Sequence, residues 1–138
     1  MAERTLAIIK PDAVANRDAG AILQRIETGG FALRGMRLVR LTRGEAEGFY
    51  AVHRERPFFD SLTAFMSSGP AVVLALEADG AIGRWRDLMG ATDPAKAAPG
   101  SLRHEFGTSI ERNATHGSDA PETAATELAY FFRGVEIG

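Results

Sequence analysis

The stretch "TLAIIK", residues 5–10, is a short apolar run that ends in a lysine and is closed by Pro11. A run of this length, bounded by a proline, is typical of a central β-strand that is buried on both faces. A second run, "AVVLALE" at residues 71–77, predicts another central strand. The segment "ALRGMRLVRL" at residues 32–41 alternates apolar and basic residues imperfectly, which predicts a half-exposed strand.

Helical spacing, with apolar residues recurring every three or four positions, lies between and after these runs. It covers residues 18–31, 43–53, 59–68, 81–90 and 120–132. Strands that alternate with helices predict an α/β or α+β sandwich, here a ferredoxin-like βαββαβ fold with a four-stranded antiparallel sheet and helices packed on one side. No repeat, linker or low-complexity tract divides the chain, so we expect residues 1–138 to form a single domain.

The composition, 45% hydrophobic and 25% charged residues, is that of an ordinary globular domain. Sixteen basic and eighteen acidic side chains give a net charge of −2, which argues against partners such as nucleic acid or anionic lipid. The chain has no cysteine, so disulfides and thiolate metal sites are excluded. The N-terminal segment carries early charges and is broken at residues 10–12, which predicts neither a signal peptide nor a membrane span and favours a cytoplasmic protein.

Residues 91–113 lack periodicity and contain two prolines and two glycines. An irregular stretch of this length in a compact domain is usually functional or disordered. It leads into "NATHGSDAPE" at residues 113–122, where Asp119 and Glu122 have the spacing of a capping box. Pro121 is tolerated in the first turn of a helix, so the last helix is predicted to begin here.

This segment also places one of only three histidines, His116, between small polar residues. The backbone can hold it there while it stays open to solvent, as a nucleophile requires. A neutral imidazole can attack phosphorus, and the resulting phosphorus–nitrogen bond is labile enough to pass the group onward. A surface or capping histidine is the alternative. Glu127, at the border of the apolar stripe of the last helix, either orients the imidazole or is a solvated glutamate.

The chain contains neither a P-loop nor the glycine-rich dinucleotide motif, so side chains have to hold any bound phosphate. Lys10, Arg86 and Arg103 are the candidates, although each is also an ordinary surface charge at its predicted position. In "RPFFDSL", residues 56–62, one phenylalanine can stack on a nucleobase, while at least one of the two packs in the core. The other two histidines have no ligand-like spacing to the third, which argues against a metal site made of histidines.

Five stretches, taken together, resemble the nucleoside diphosphate kinase family in order and spacing. They are "ERTLAIIKPDAV", "FYAVHRERPFFDSL", "MSSGPAVVLALE", "LMGATDPAKAAPGSLR" and "NATHGSD". The last is an N-x-x-H-G-S-D signature of high specificity. The resemblance runs from about Arg4 to Phe132, nearly the whole chain.

The resemblance implies reversible transfer of the γ-phosphoryl group from a nucleoside triphosphate to a nucleoside diphosphate, in a ping-pong cycle through a phosphohistidine on Nδ1 of His116. The implied catalytic residues are His116, Glu127, Ser118, Lys10 and Tyr50. The implied nucleotide contacts are Lys10, Phe58, Leu62, Arg86, Thr92, Arg103 and Asn113. Mg²⁺ is implied as a companion of the nucleotide phosphates, without a direct protein ligand. A homo-oligomer, tetramer or hexamer, is also implied.

A non-catalytic nucleotide-binding module of the same fold is the alternative function. The presence of Lys10, Asn113, His116 and Glu127 together favours the enzyme. The acidic balance and the lack of closely spaced aromatic residues on the strands argue against an RNA-binding sheet. Neither the residue pattern nor the resemblance gives a role to Trp85.

Overall fold

The computed structural model describes residues 2–138, whose strands form one four-stranded sheet in the order β2-β3-β1-β4. The strands are β1 (Ala2–Ile9), β2 (Ala32–Val39), β3 (Ala71–Asp79) and β4 (Thr115–Gly117). All three strand pairs are antiparallel, which confirms the predicted ferredoxin-like sheet. The two continuous apolar runs form the two central strands, while β2 lies at an edge with most of its residues exposed or half-buried, as predicted.

The connections between the strands are largely helical, and each predicted helix is present within a few residues of its predicted ends, although residues 43–53 divide into an α-helix and a 3₁₀-helix. The α-helices are α1 (Pro11–Ala15), α2 (Ala19–Thr28), α3 (Arg43–Phe49), α4 (Phe59–Met66), α5 (Ala81–Met89), α6 (Leu102–Phe106), α7 (Pro121–Phe131) and α8 (Gly134–Ile137). Short 3₁₀-helices span Ala51–His53 and Pro94–Lys96. Among residues 2–138, no helix is long and apolar enough to cross a membrane.

Side chains of β1 alternate between two hydrophobic cores, one on each face of the sheet. Leu6 and Ile8 belong to a core with α3, α4 and α7. Ala7 and Ile9 belong to a core with α1, α2, α5 and α6. The prediction of helices on one side only was therefore wrong. The continuous apolar run of β1 indicates this arrangement, because a strand covered on one face alternates apolar and polar residues, whereas a strand buried on both faces is apolar throughout.

The stretch at residues 91–113 is more regular than predicted, because it holds the second 3₁₀-helix and α6. The Ser101 hydroxyl caps α6 by accepting a hydrogen bond from the His104 N–H at 3.3 Å. The stretch lines a cleft with Thr92, Arg103 and Asn113, next to Lys10 at the end of β1. Local capping thus gives order to a segment that has no hydrophobic periodicity.

A strained residue, Ala114, joins this stretch to β4. Its φ of 73° lies in the left-handed region, which an alanine rarely adopts. Two hydrogen bonds hold it: Asp12 Oδ2 accepts from the Ala114 N–H at 3.1 Å, and the Lys10 N–H donates to the Ala114 carbonyl at 2.8 Å. The turn brings β4 alongside β1 and sets His116 opposite Ile8. His116 therefore lies on a short strand that was not predicted from the sequence.

Candidate active site

A histidine, a glutamate and a serine form a chain of hydrogen bonds where β4 meets α7. Nε2 of His116 lies 3.0 Å from Oε1 of Glu127, and the Ser118 hydroxyl donates to the same oxygen at 2.8 Å. Ser118 is fully buried, and its oxygen also accepts a hydrogen bond from the Leu6 N–H at 3.3 Å. The side chains of His116 and Glu127 are 18% and 20% exposed, so the pair is largely enclosed but reachable from solvent.

The glutamate determines which nitrogen of the imidazole is free. Burial by itself raises the pKa of Glu127, but the hydrogen bonds from His116 and Ser118, and the positive charge of His116 when it is protonated, bring this pKa below its usual value. An ionised carboxylate can only accept hydrogen bonds, so in the neutral form of the imidazole Nε2 carries the proton and Nδ1 keeps its lone pair. Of the two alternatives for Glu127, the structure has the one in which it contacts His116.

Two aromatic rings pack against the imidazole. The rings of Phe49 and Tyr50 lie edge-on to it, with centroids 5.4 and 6.1 Å from its own. The Tyr50 hydroxyl is buried and has no hydrogen-bond partner among the described residues. Burial, together with the charge of Glu127, raises the pKa of this hydroxyl, so it stays a neutral donor. A buried hydroxyl without a partner is costly, and Tyr50 is one of the residues that line the recess around His116.

His116 lines a recess of about 200 Å³, together with Tyr50, Arg86 and Asp119. A neighbouring cavity of about 330 Å³ is lined by Asn113, and also by Ile110 and Glu111, two residues that the sequence analysis did not single out. Both compartments share the same set of lining residues: Lys10, Phe58, Leu62, Thr92 and Arg103. The two therefore form one cleft, and every predicted nucleotide contact lines it. Glu127 and Ser118 lie behind the imidazole.

Two cations in this cleft are buried, since Lys10 and Arg103 are only 7% and 9% exposed. Lys10 Nζ donates to Asn113 Oδ1 at 2.8 Å. Arg103 donates to the carbonyls of Gly90 and Thr115 at 3.1 and 2.9 Å, and its Nε has no partner. Within residues 2–138, neither side chain has an ion-pair partner within 4.0 Å. Both positive charges are therefore left without a counter-charge in contact.

The acidities of these two groups reflect their surroundings. Burial, and then the charge of Arg103, lower the pKa of Lys10 to about 8. Burial, and then the charge of Arg86, lower the pKa of Arg103 to about 10. Enclosed cations that repel each other are stabilised when an anion binds between them. The inner cleft is therefore suited to an anionic group such as a phosphate chain.

Arg86, the third predicted phosphate contact, is more accessible. Its Nη1 lies 2.7 Å from Oδ1 of Asp119, and the two side chains are 47% and 73% exposed. Asp119 is the one carboxylate among the described residues that line the recess around His116. A phosphate in this recess would compete with Asp119 for Arg86.

The capping box predicted from Asp119 and Glu122 is wrong. Helix α7 begins at Pro121, in the first turn as predicted, but Ala120 is the residue before it. The Thr123 hydroxyl oxygen accepts hydrogen bonds from the N–H groups of Asp119 and Ala120, at 3.1 and 2.9 Å. Because the Thr123 hydroxyl accepts the hydrogen bonds at the start of α7, the Asp119 carboxylate does not cap the helix and pairs with Arg86 instead.

Apolar side chains line the outer compartment of the cleft. Phe58 is 47% exposed and faces this compartment together with Leu62 and Ile110, the last of which is 61% exposed. Phe59 packs in the core, so one of the two adjacent phenylalanines is a core residue, as predicted. Sequence reasoning missed Ile110, although a lone apolar residue in the polar segment "GTSIERN" is a usable signal.

Glu111 was also missed, and it connects the two walls of the outer compartment. The Ser61 hydroxyl of α4 donates to Oε2 of Glu111 at 2.6 Å. The carbonyl of Glu111 lies 3.5 Å from Lys10 Nζ. Nothing in the composition or spacing of this polar loop predicts that contact.

Known proteins resemble this chain over nearly its full length. A family model described as nucleoside diphosphate kinase matches residues 3–137. This chain belongs to the nucleoside diphosphate kinase family. The nucleoside diphosphate kinases of Desulfotalea psychrophila and Syntrophotalea carbinolica are both 64% identical to it over 135 residues, covering 98% of each chain.

Solved structures from the nucleoside diphosphate kinase family have the same fold. The Aquifex aeolicus protein superposes with a TM-score of 0.97 at 47% identity, and all of both chains is covered. The Halobacterium salinarum protein, solved in complex with CDP, superposes with a TM-score of 0.95 at 38% identity, covering 100% of this chain and 92% of that one. The family assignment and the fold predicted from the sequence are confirmed.

Proposed function

We propose that this nucleoside diphosphate kinase uses Nδ1 of His116 as its nucleophile and passes the phosphoryl group through a phosphohistidine. The observation that carries the proposal is the contact between Nε2 of His116 and the ionised Glu127, at 3.0 Å. This contact leaves Nδ1 with a lone pair beside a cleft that holds two buried cations without ion-pair partners.

In the first half-reaction, Nδ1 attacks the γ-phosphorus of a nucleoside triphosphate. A phosphorus–nitrogen bond forms as the bond between the γ-phosphorus and the bridging oxygen breaks, and the nucleoside diphosphate leaves with the bonding electrons. The second half-reaction reverses these steps with another nucleoside diphosphate. The proton on Nε2 stays in place throughout, and the carboxylate of Glu127 stabilises the positive charge that develops on the ring.

The cations of the cleft compensate the charge of the phosphates. Lys10 and Arg103 bind the inner phosphate oxygens, and Arg86 exchanges Asp119 for a phosphate. The unpartnered Tyr50 hydroxyl donates a hydrogen bond to the same chain. Because phosphoryl transfer has a loose transition state, positioning and charge compensation supply most of the catalysis.

Mg²⁺ enters this scheme as part of the substrate, bound to the phosphates of the nucleotide. Residues 2–138 contain no group of three or more His, Asp or Glu side chains arranged to hold a metal ion. A cleft lined by lysine and arginines suits a metal that arrives already coordinated by phosphate oxygens. The ion adds positive charge at those oxygens.

Stacking and ribose contacts hold the rest of the nucleotide. The base lies against Phe58 and Leu62, and every nucleobase offers a face for such a contact. Asn113 holds Lys10 through its carbonyl oxygen and donates from Nδ2 to the Thr92 carbonyl at 3.0 Å, which orders the ribose and phosphate contacts. A base held by stacking without a fixed hydrogen-bond partner predicts broad nucleotide specificity.

Labelling with γ-³²P-ATP and Mg²⁺ tests the nucleophile. The unsubstituted chain is expected to acquire label that is stable in alkali, labile in acid and discharged by CDP. His116→Ala should acquire none, while His104→Ala, which changes an exposed histidine on α6, should be labelled normally. An unlabelled parent chain would favour the non-catalytic binding module, and undiminished label on His116→Ala would remove His116 from the reaction.

We also propose that the enzyme is a cytoplasmic homo-oligomer, a tetramer or hexamer. Exposed apolar side chains at Met36, Leu38 and Val135 support self-association, because a monomer leaves them in water. Static light scattering at assay concentrations should give four or six times the mass of one chain. A monomer would contradict the proposal.

A further inference from the structure

Trp85 is the only tryptophan in the chain, and the sequence gives it no role. It lies on α5, fully buried, in the core that contains Ala7 and Ile9. The imidazole of His116 lies on the other face of the sheet, against Phe49 and Tyr50. Trp85 therefore approaches β4 from the face of the sheet opposite the imidazole.

Two contacts join this indole to β4. Its Nε1–H donates a hydrogen bond to the backbone carbonyl of His116 at 3.1 Å. A β-carbon at Gly117 would lie 2.5 Å from Cδ1 and 2.7 Å from Nε1 of the ring. Real β-carbons do not approach other atoms so closely, so the ring can occupy this place only because residue 117 is glycine.

The strand that carries the nucleophile has little other support. β4 pairs with β1 over three residues, and no other strand of residues 2–138 pairs with its other side. Side chains supply further hydrogen bonds: Arg103 donates to the Thr115 carbonyl, and Trp85 donates to that of His116. Arg103 also lines the cleft, whereas Trp85 does not line it and contacts β4 through the backbone of His116 and Gly117.

We propose that Trp85 is a positioning residue for phosphoryl transfer, which rests on the proposed role of His116. Its N–H fixes the carbonyl of His116, and its ring fixes the adjacent Gly117. Together they set the depth at which Nδ1 enters the cleft. Misplacing a nucleophile by a fraction of an ångström slows the chemical step more than it weakens substrate binding, because the substrate contacts lie elsewhere.

Replacement of the indole N–H alone is possible because the chain has one tryptophan. Expression with β-(3-benzothienyl)alanine in place of tryptophan keeps the shape of the ring and substitutes sulfur for the N–H. Loss of one hydrogen bond is expected to slow single-turnover phosphorylation of His116 by Mg²⁺–ATP about 3- to 10-fold. The dissociation constant of ADP should stay within about twofold of the parent value. Trp85→Phe should reduce the rate at least as much.

Phe31→Leu is the matched control. Phe31 packs edge-on against Trp85, with ring centroids 6.1 Å apart, so this change loosens the same core and leaves the hydrogen bond to His116 intact. It should lower the melting temperature and leave the phosphorylation rate unchanged. A parent-like rate for the benzothienyl protein, or an equal loss of rate in Phe31→Leu, would overturn the positioning role. A parent chain that takes up no label would instead refute the proposed function itself.

Discussion

Replacing Lys10 with methionine should stabilise the empty enzyme while abolishing its activity. Burial and Arg103 lower the pKa of this lysine from 10.5 to about 8. At about 1.36 kcal/mol for each tenfold change in acidity, keeping it charged costs the folded state about 3 kcal/mol at neutral pH. Loss of its hydrogen bond to Asn113 removes about 1 kcal/mol and leaves an acceptor partly unsatisfied. The expected net gain is about 1–2 kcal/mol.

The gain converts to a shift in melting temperature. With about 2.1 cal/mol/K of unfolding entropy per residue, it corresponds to about 3–7 °C. Thermal unfolding followed by circular dichroism, without nucleotide and at equal protein concentration, measures the shift at pH 7. Lys96→Met changes the other lysine, which is exposed, and should leave the melting temperature nearly unchanged.

The pH dependence provides a second check on the same variant. Because the pKa of Lys10 is lower in the folded than in the unfolded state, its cost is fully present below about pH 8. Between about pH 8 and pH 10.5, Lys10 has lost its proton in the folded chain but keeps it in the unfolded chain, so the cost decreases and disappears over this interval. The advantage of Lys10→Met should therefore shrink between pH 7 and pH 10. A variant that melts no higher than the parent at pH 7, or an advantage independent of pH, would refute the reasoning.

Three further predictions concern the site. Glu127→Gln keeps the shape of the side chain but removes the charge beside His116, so single-turnover phosphorylation should slow about 10- to 100-fold with ADP affinity nearly unchanged; an unchanged rate would contradict this. Because the empty enzyme loses the Lys10 proton near pH 8, kcat/KM should fall above that pH. Lys10→Arg, whose guanidinium stays charged across this pH range, should lack this alkaline limb in a steady-state profile. Asp119→Asn removes the ion-pair partner of Arg86, so calorimetry should find ADP bound about 2- to 5-fold tighter. Weaker binding would contradict the proposal that Asp119 and the phosphate compete for Arg86.

The sequence predicts the framework of this fold because burial leaves a pattern in it. Residues 6–9 and 71–76 are apolar throughout, as central strands are, and the edge strand β2 alternates imperfectly. β4 was not predicted as a strand, because three residues are too few for a pattern and its pairing with β1 depends on the tertiary fold. The same continuous runs indicated that helices cover both faces of the sheet, although helices were predicted on only one face.

Parts of the site could be found from residue types, but not their contacts. The signature around His116 marks the predicted nucleophile, while the contact with Glu127 depends on how α7 packs against the sheet. The capping spacing at Asp119 and Glu122 was misleading, because Thr123 offered the backbone a nearer oxygen. Trp85 had no signal at all, since a hydrogen bond to a backbone carbonyl imposes no spacing on the sequence.

The two cores on either side of the sheet meet at the three residues of β4. The ring of His116 packs against Phe49 of one core, and its carbonyl accepts a hydrogen bond from Trp85 of the other. Replacement of Trp85, which is remote from the cleft, should therefore affect the position of the proposed nucleophile as well as the melting temperature. Variants that repack the core around Trp85 for heat resistance will therefore need turnover assays as well as melting curves. The packing of Trp85 contributes both to stability and to the position of the imidazole.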